Sequence, residues 1–179
     1  MLKDIFKLRS WSASFLFLLA LLMLPGLSAC KPKEIDLPFE TIERKERTST
    51  SEGYKSREPF LIVITQPEEI TNLDDWVTED AKTQLQTLDY ETYFAIVVFQ
   101  GRKGTSGYGI QIERIVRLGN KVTIFVQVRE PRPDEKKSDI VTSPYHLVRV
   151  RKNGAWARDI TFNVVAGETV IVSVLHYIP

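Results

Sequence analysis

The chain has 179 residues, with 24 lysines and arginines against 23 aspartates and glutamates, and a net charge of +1; that balance gives no electrostatic footing for nucleic acid. Its one cysteine, Cys30, has no second thiol to pair with, so a fold in an oxidising compartment rests on its core alone. About 150 residues is a usual size for one domain, large enough for a hydrophobic core without staples.

The amino terminus carries Lys3, Lys7 and Arg9 against Asp4, and then an apolar run from Ser12 to Pro25. The run is too short for a hydrocarbon core that needs about 20 helical residues, and Pro25 and Gly26 break it just before a set of small residues, so it reads as an export signal. Leu27-Ser28-Ala29-Cys30 resembles the bacterial lipobox. The resemblance implies that residues 1–29 are a lipoprotein signal peptide and that Cys30 is alkylated by diacylglycerol and then acylated on its new amino group. More than one chain is what makes an anchor stable, at about 0.8 kcal/mol per buried methylene. The expected location is extracytoplasmic, with the protein held to the membrane through Cys30. Lys31 rather than aspartate after the cysteine implies the outer membrane where the source has two. Loss of the four charges in the signal leaves the mature chain at about −1.

Half of the residues from Lys31 to Glu58 are charged, which is the composition of a spacer. Residues 30–36 read as a lipidated tether and 37–179 as one β-rich domain, with LPFETIER able to add an edge strand that turns Phe39 or Ile42 inward. Phe60 to Ile64 form a buried strand. Thr65 and Glu68 have capping-box spacing, Pro67 suits a first turn, and Ile70, Leu73, Trp76, Val77, Ala81, Leu85 and Leu88 recur at helical steps. One interrupted helical insertion over residues 67–88 follows. Asp74, Asp75, Glu79 and Asp80 lack the calcium-loop spacing and read as a solvated face.

Tyr93 to Gly101 is apolar on both faces and belongs mid-sheet. Ile110 and Ile112 alternate with Gln111 and Glu113, Gly119-Asn120 marks a turn, and Val122, Ile124, Val126 and Val128 take one face of an antiparallel hairpin. A charged, proline-containing loop from Glu130 to Asp139 precedes the strand PYHLVRVRK. A last hairpin turns at Ala166-Gly167-Glu168 and places Val170, Val172 and Val174 on one face. The expected fold is mainly β (α+β), an antiparallel sandwich or barrel-like domain with one helical insertion.

The chemistry-bearing residues are few. His146 and His176 each lie in a strand pattern beside tyrosine, and HExxH, CxxC and GxSxG are absent. Both histidines are expected as strand residues with a hydrogen-bonding partner, and no catalytic set, metal site or cofactor is expected. The least ordinary stretch is GRKGTSGYGIQI, Gly101 to Ile112, where Gly104, Thr105, Ser106, Gly107, Tyr108 and Gly109 form a candidate binding loop. Gly101, Thr105 to Tyr108, the isoleucines Ile110 and Ile112, and Pro144-Tyr145 with Leu147-Val148 resemble the carboxy-terminal domain of the PrcB family of protease-complex subunits, over about Tyr93 to Lys152. Ser106 stands where that family has the first glycine of a Gly-Gly pair. The resemblance implies a non-catalytic accessory or assembly subunit of a secreted, subtilisin-like protease, with Pro144 and Tyr145 as a second contact. Two other readings stand beside it. Thr105 to Tyr108 resembles the cleft-inserting loop of chagasin-like protease inhibitors, and Trp76, Trp156, Tyr108 and Tyr145 are the aromatics a ligand-binding envelope lipoprotein would gather round a pocket.

Overall fold

A computed structural model of the chain describes residues 33–45, 54–73 and 75–179. Nine strands lie in them: β1 (Ile35–Asp36), β2 (Phe39–Lys45), β3 (Phe60–Ile64), β4 (Tyr93–Phe99), β5 (Gly109–Leu118), β6 (Lys121–Arg129), β7 (Tyr145–Arg151), β8 (Arg158–Ala166) and β9 (Thr169–Ile178). They build a five-stranded sheet in the order β1-β5-β6-β8-β9 and a four-stranded sheet in the order β2-β7-β4-β3. The sheets pack as a sandwich, and no closed barrel forms. Pairing begins at Ile35, just ahead of Leu37.

The reason for the sandwich is in the strand chemistry. Leu61, Val63, Phe94, Ile96 and Val98 of the four-stranded sheet meet Ile112, Ile115, Ile124, Phe162 and Val164 of the five-stranded sheet in one core. The opposite face of the four-stranded sheet presents Ile62, Ile64, Ala95, Val97 and Phe99 to Ile70, Leu73, Val77, Ala81 and Leu85 of the helical insertion. The strands FLIVI and YFAIVVF are therefore apolar throughout because both their faces are covered. Phe39 packs on the first core and Ile42 on the second.

One pairing departs from the antiparallel expectation: β6 and β8 run parallel, Lys121 opposite Thr161 through Val126 opposite Ala166. Between them the chain passes through β7 in the other sheet. It returns to the first sheet at the end where β6 began, so β8 repeats the direction of β6, as parallel neighbours joined by a crossover must. A second departure is in β9, where Val164 faces Val172 but Val165 faces Val170. Ile171 is the extra residue of this bulge, and it packs on the core with Val172 and Val174. Val170 is instead 54% exposed.

The insertion is a 3-10 helix, Pro67–Leu73, followed by α1, Glu79–Gln86. Because Pro67 is the first helical residue, the residue three positions inside the cap is Glu69 and not Glu68. The amide and hydroxyl of Thr65 both donate to Glu69 Oε2, at 2.6 and 3.1 Å. The helical pattern breaks before Thr78, which restarts it as an N-cap: its hydroxyl accepts from Ala81 N at 3.2 Å and donates to Glu43 at 2.9 Å. Asp75 and Glu79 pair with Lys82 on the solvent side; Asp74 lies outside the described residues.

β1 is antiparallel to β5, Ile35 opposite Arg117, so the chain joins the sandwich at the Leu118 end. That end is closed by Arg117, which is 6% exposed. Its guanidinium lies 3.8 Å from the Trp156 ring centre and donates to the carbonyls of Gly119 (2.9 Å) and Ala155 (2.6 Å). The loops that join β4 to β5 and β6 to β7 emerge at the opposite end, where Gly109 faces Arg129.

Candidate functional site

The loop after β4 begins with Gln100, which ties three strand ends together: its amide donates to Pro144 O at 2.9 Å and its side-chain Nε2 to Arg129 O at 3.2 Å. At Gly101 the chain turns with φ +88°, so close to Arg57 that a Cβ there would lie 2.2 Å from the Arg57 carbonyl oxygen. Arg102 N then donates to Ser56 O at 2.7 Å.

From here the loop does not stand free. Lys103 and Thr142 exchange two backbone hydrogen bonds, 2.8 and 3.0 Å. Thr142 Oγ1 donates to Thr105 O at 3.1 Å. Ser106 N donates to Ser138 O at 3.0 Å, and Ser138 N returns a bond to Ser106 Oγ at 2.9 Å. Gly107, at φ +97°, lies so near Pro131 that a Cβ would meet the proline Cβ at 2.7 Å. Lys103 to Ser106 is thus hydrogen-bonded to Ser138 and Thr142 of the 130–144 loop, with Gly107 close against Pro131, and the two loops form one surface. Ser106 adopts no positive φ; Ala157 is the one non-glycine that does among the described residues. The serine in place of the family's glycine therefore costs nothing in backbone strain, and its hydroxyl supplies one of the bonds between the loops.

On this surface Ile140 is 39% and Val141 44% exposed. Tyr108 is half-buried, with Lys103 Nζ 5.3 Å from its ring centre, and belongs to neither hydrophobic core. Arg129 and Glu135 pair at 2.7 Å, and Glu135 also accepts from Arg132 N at 3.2 Å, which folds the proline-containing turn beneath. Ile140 and Val141 drew no expectation from the sequence, where they fall between the charged loop ending at Asp139 and the strand pattern that begins at Pro144.

Pro144 and Tyr145 do not join this surface. Both are buried, and Tyr145 is fully so, its ring 5.5 Å from Phe99 in the core under the helices and its hydroxyl donating to Glu43. Burial, together with that hydrogen bond, pushes its phenol upward. The expectation of a second contact there is corrected: β7 is covered on both faces, so its first residues face protein.

The histidines take structural partners. His146, 3% exposed, accepts the Ile112 amide at Nδ1 (2.8 Å) and meets the Thr41 hydroxyl at Nε2 (2.9 Å). Ile112 and Thr41 are each the last paired residue before a bulge, in β5 and β2 respectively, so one imidazole fastens both irregularities across the seam of the two sheets. His176 Nε2 lies 3.4 Å from Thr65 Oγ1 and 3.5 Å from Glu69 Oε1. A catalytic relay needs hydroxyl and carboxylate on different ring nitrogens; here they share one. No group of three His, Cys, Asp or Glu able to hold a metal occurs among the described residues.

The four aromatics line no common pocket. Trp76 packs with Tyr54 and Phe60, and Trp156 with Phe94 between the sheets, while Tyr108 lies on the loops. A cleft of about 590 Å³ opens beside His146, lined by Phe39, Thr41, Arg44, Gln111 and Glu113. It contains none of the four. Cys30 and the signal segment lie outside the described residues.

A family model described as PrcB C-terminal matches residues 94–151. The match runs from β4 through both loops to the end of β7, and it bears out the resemblance carried by Gly101, the Thr105–Tyr108 turn and the Pro-Tyr strand. No curated protein and no solved structure matches the chain.

Proposed function

We propose that the chain is a membrane-anchored extracytoplasmic lipoprotein, a non-catalytic accessory or assembly subunit of a secreted protease complex, and that it docks through the paired loops. The observation that carries this reading is the extent of the family match: residues 94–151 include both loops and the four strands that hold them. The paired loops present exposed Ile140 and Val141, charged residues of both signs and the half-buried Tyr108, the mixture of apolar and polar groups that protein interfaces combine. The anchor is supported by Leu27-Ser28-Ala29-Cys30 behind the short apolar run. The inhibitor reading is less well served, because Thr105 and Ser106 of the Thr105–Tyr108 turn are hydrogen-bonded to Thr142 and Ser138 of the neighbouring loop and are not free to enter a cleft.

Two substitutions test the proposal. Tyr108→Ala is expected to leave the thermal midpoint within about 2 °C, since it removes only a partly exposed ring outside both cores. It should cost about 2 kcal/mol or more in binding if Tyr108 is an interface anchor, read as loss of co-purification with an exported protease. A lowered midpoint with the same protease recovered would assign Tyr108 to stability and remove the docking site. Cys30→Ser is expected to move the protein out of the membrane fraction or leave its signal uncleaved; fractionation like the wild type would remove the anchor.

A further inference from the structure

We infer that the paired loops are the membrane-distal end of the domain, and that the partner they fit is a water-borne protein domain standing off the membrane. The inference rests on the lipid anchor proposed above and adds a direction to it. β1 runs antiparallel to β5 with Ile35 opposite Arg117 and Asp36 opposite Val116, so the chain arrives at the sandwich beside Leu118 and the turn at Gly119-Asn120. β5 and β6 carry the sheet from that turn to Gly109 opposite Arg129, where both loops begin. β5 has 10 residues, and at about 3.4 Å per residue the two ends lie roughly 30 Å apart.

The link between anchor and sheet is short. Lys31 to Glu34 are the only residues between Cys30 and β1, and the five steps from Cys30 to Ile35, at about 3.5 Å each, reach at most about 18 Å. The Leu118 end cannot leave the lipid surface by more than that, whereas the loop end can stand two to three times as far out. The surface fits such a position. Ile140 and Val141 are two exposed apolar residues in the same loop as exposed Arg132, Asp134, Lys136, Lys137 and Asp139, so the loop mixes apolar side chains with charges of both signs. That is the pattern of a protein contact and not the one-sided basic and apolar stripe of a lipid-binding face.

The single cysteine makes the test clean, because a thioether at Cys30 does not react with maleimide. Asn120→Cys and Lys137→Cys, both at exposed positions, are labelled with a fluorescent maleimide in the full lipidated protein. Each is reconstituted into phosphatidylcholine vesicles that carry a nitroxide on the lipid headgroup. Quenching at residue 120 is expected to exceed that at residue 137 by threefold or more. Equal or reversed quenching in vesicle-bound protein would overturn the inference, since the loops would then lie on the lipid. A wild-type protein that reacts with the maleimide and does not float with vesicles would instead overturn the anchor, a distinguishable failure.

Discussion

Between about pH 6.5 and pH 4 the folded domain is expected to lose stability steadily, because His146 is held neutral. Burial is the larger cause, and Arg44 beside it the smaller; together they lower the imidazole from 6.5 to about 4. The direction follows from linkage. In this window the unfolded chain binds a proton at His146 and the folded chain does not, so acid favours unfolding. The contribution is fully present above about pH 6.5, falls as pH drops, and is exhausted below about pH 4. At about 1.4 kcal/mol per pKa unit the whole effect is at most about 3.5 kcal/mol. The geometry agrees: Nδ1 must keep its lone pair to accept the Ile112 amide, and a proton there would break the bond that fixes the β5 bulge. Urea denaturation of His146→Ala and wild type at a series of pH values checks this. The variant should be less stable at pH 7.5 by about 2 to 3 kcal/mol, since it leaves a buried amide unpaired, and its stability should be flatter between pH 6.5 and 4. The same slope in both proteins would show that another group carries the acid sensitivity.

That histidine marks where sequence and structure part. Its role as a strand residue with a partner was readable, since His146 sits in an apolar alternating run beside Tyr145. Which atoms it joins was not, because Thr41 and Ile112 are brought to it by two bulges that no local pattern announces. The layers were legible for a simple reason: a strand apolar on both faces, as in YFAIVVF, needs a cover on each side, and a helical-period run lay close by to supply one. The parallel pairing of β6 with β8 was hidden by its cause, a passage through the opposite sheet, which leaves each strand's own pattern unchanged. Val170 was misplaced because period-2 counting fails at the bulged Ile171.

At the candidate site the sequence singled out the glycines without saying what they pack against. It read Gly104 to Gly109 as a candidate binding loop, and only Ser138 and Thr142, which carry no turn or motif signal, show that its first residues are paired to the next loop. Tyr145 was drawn into the site by the company it keeps in the family pattern. The same Pro-Tyr pair is explained in the structure by the Tyr145–Glu43 hydrogen bond under the helices, a core interaction between residues far apart in the chain.

Replacing the glycines one at a time separates scaffold from surface. Gly101→Ala should be the most damaging change, at about 3 kcal/mol or more: an L side chain at φ +88° is strained, and its Cβ would lie 2.2 Å from a backbone oxygen that cannot step aside without moving Arg57 and Glu58. Gly107→Ala carries similar strain at φ +97°, but its Cβ would meet the Pro131 side chain at 2.7 Å, and a proline ring in a loop can yield. About 2 kcal/mol is expected, with the two loops pushed apart. Gly104→Ala meets nothing within 4 Å and needs no positive φ, so it should fall within about 0.5 kcal/mol of wild type. Urea denaturation of the three variants gives the order 101, 107, 104, and equal stability of Gly101→Ala and Gly104→Ala would mean that the chain does not turn against Arg57. Partner capture then adds the functional distinction. Under conditions where both are folded, Gly107→Ala should lose co-purification with the protease while Gly104→Ala keeps it, because only the former disturbs the approach of the two loops, at Pro131. Undiminished capture by Gly107→Ala would show that the partner does not read the paired loops.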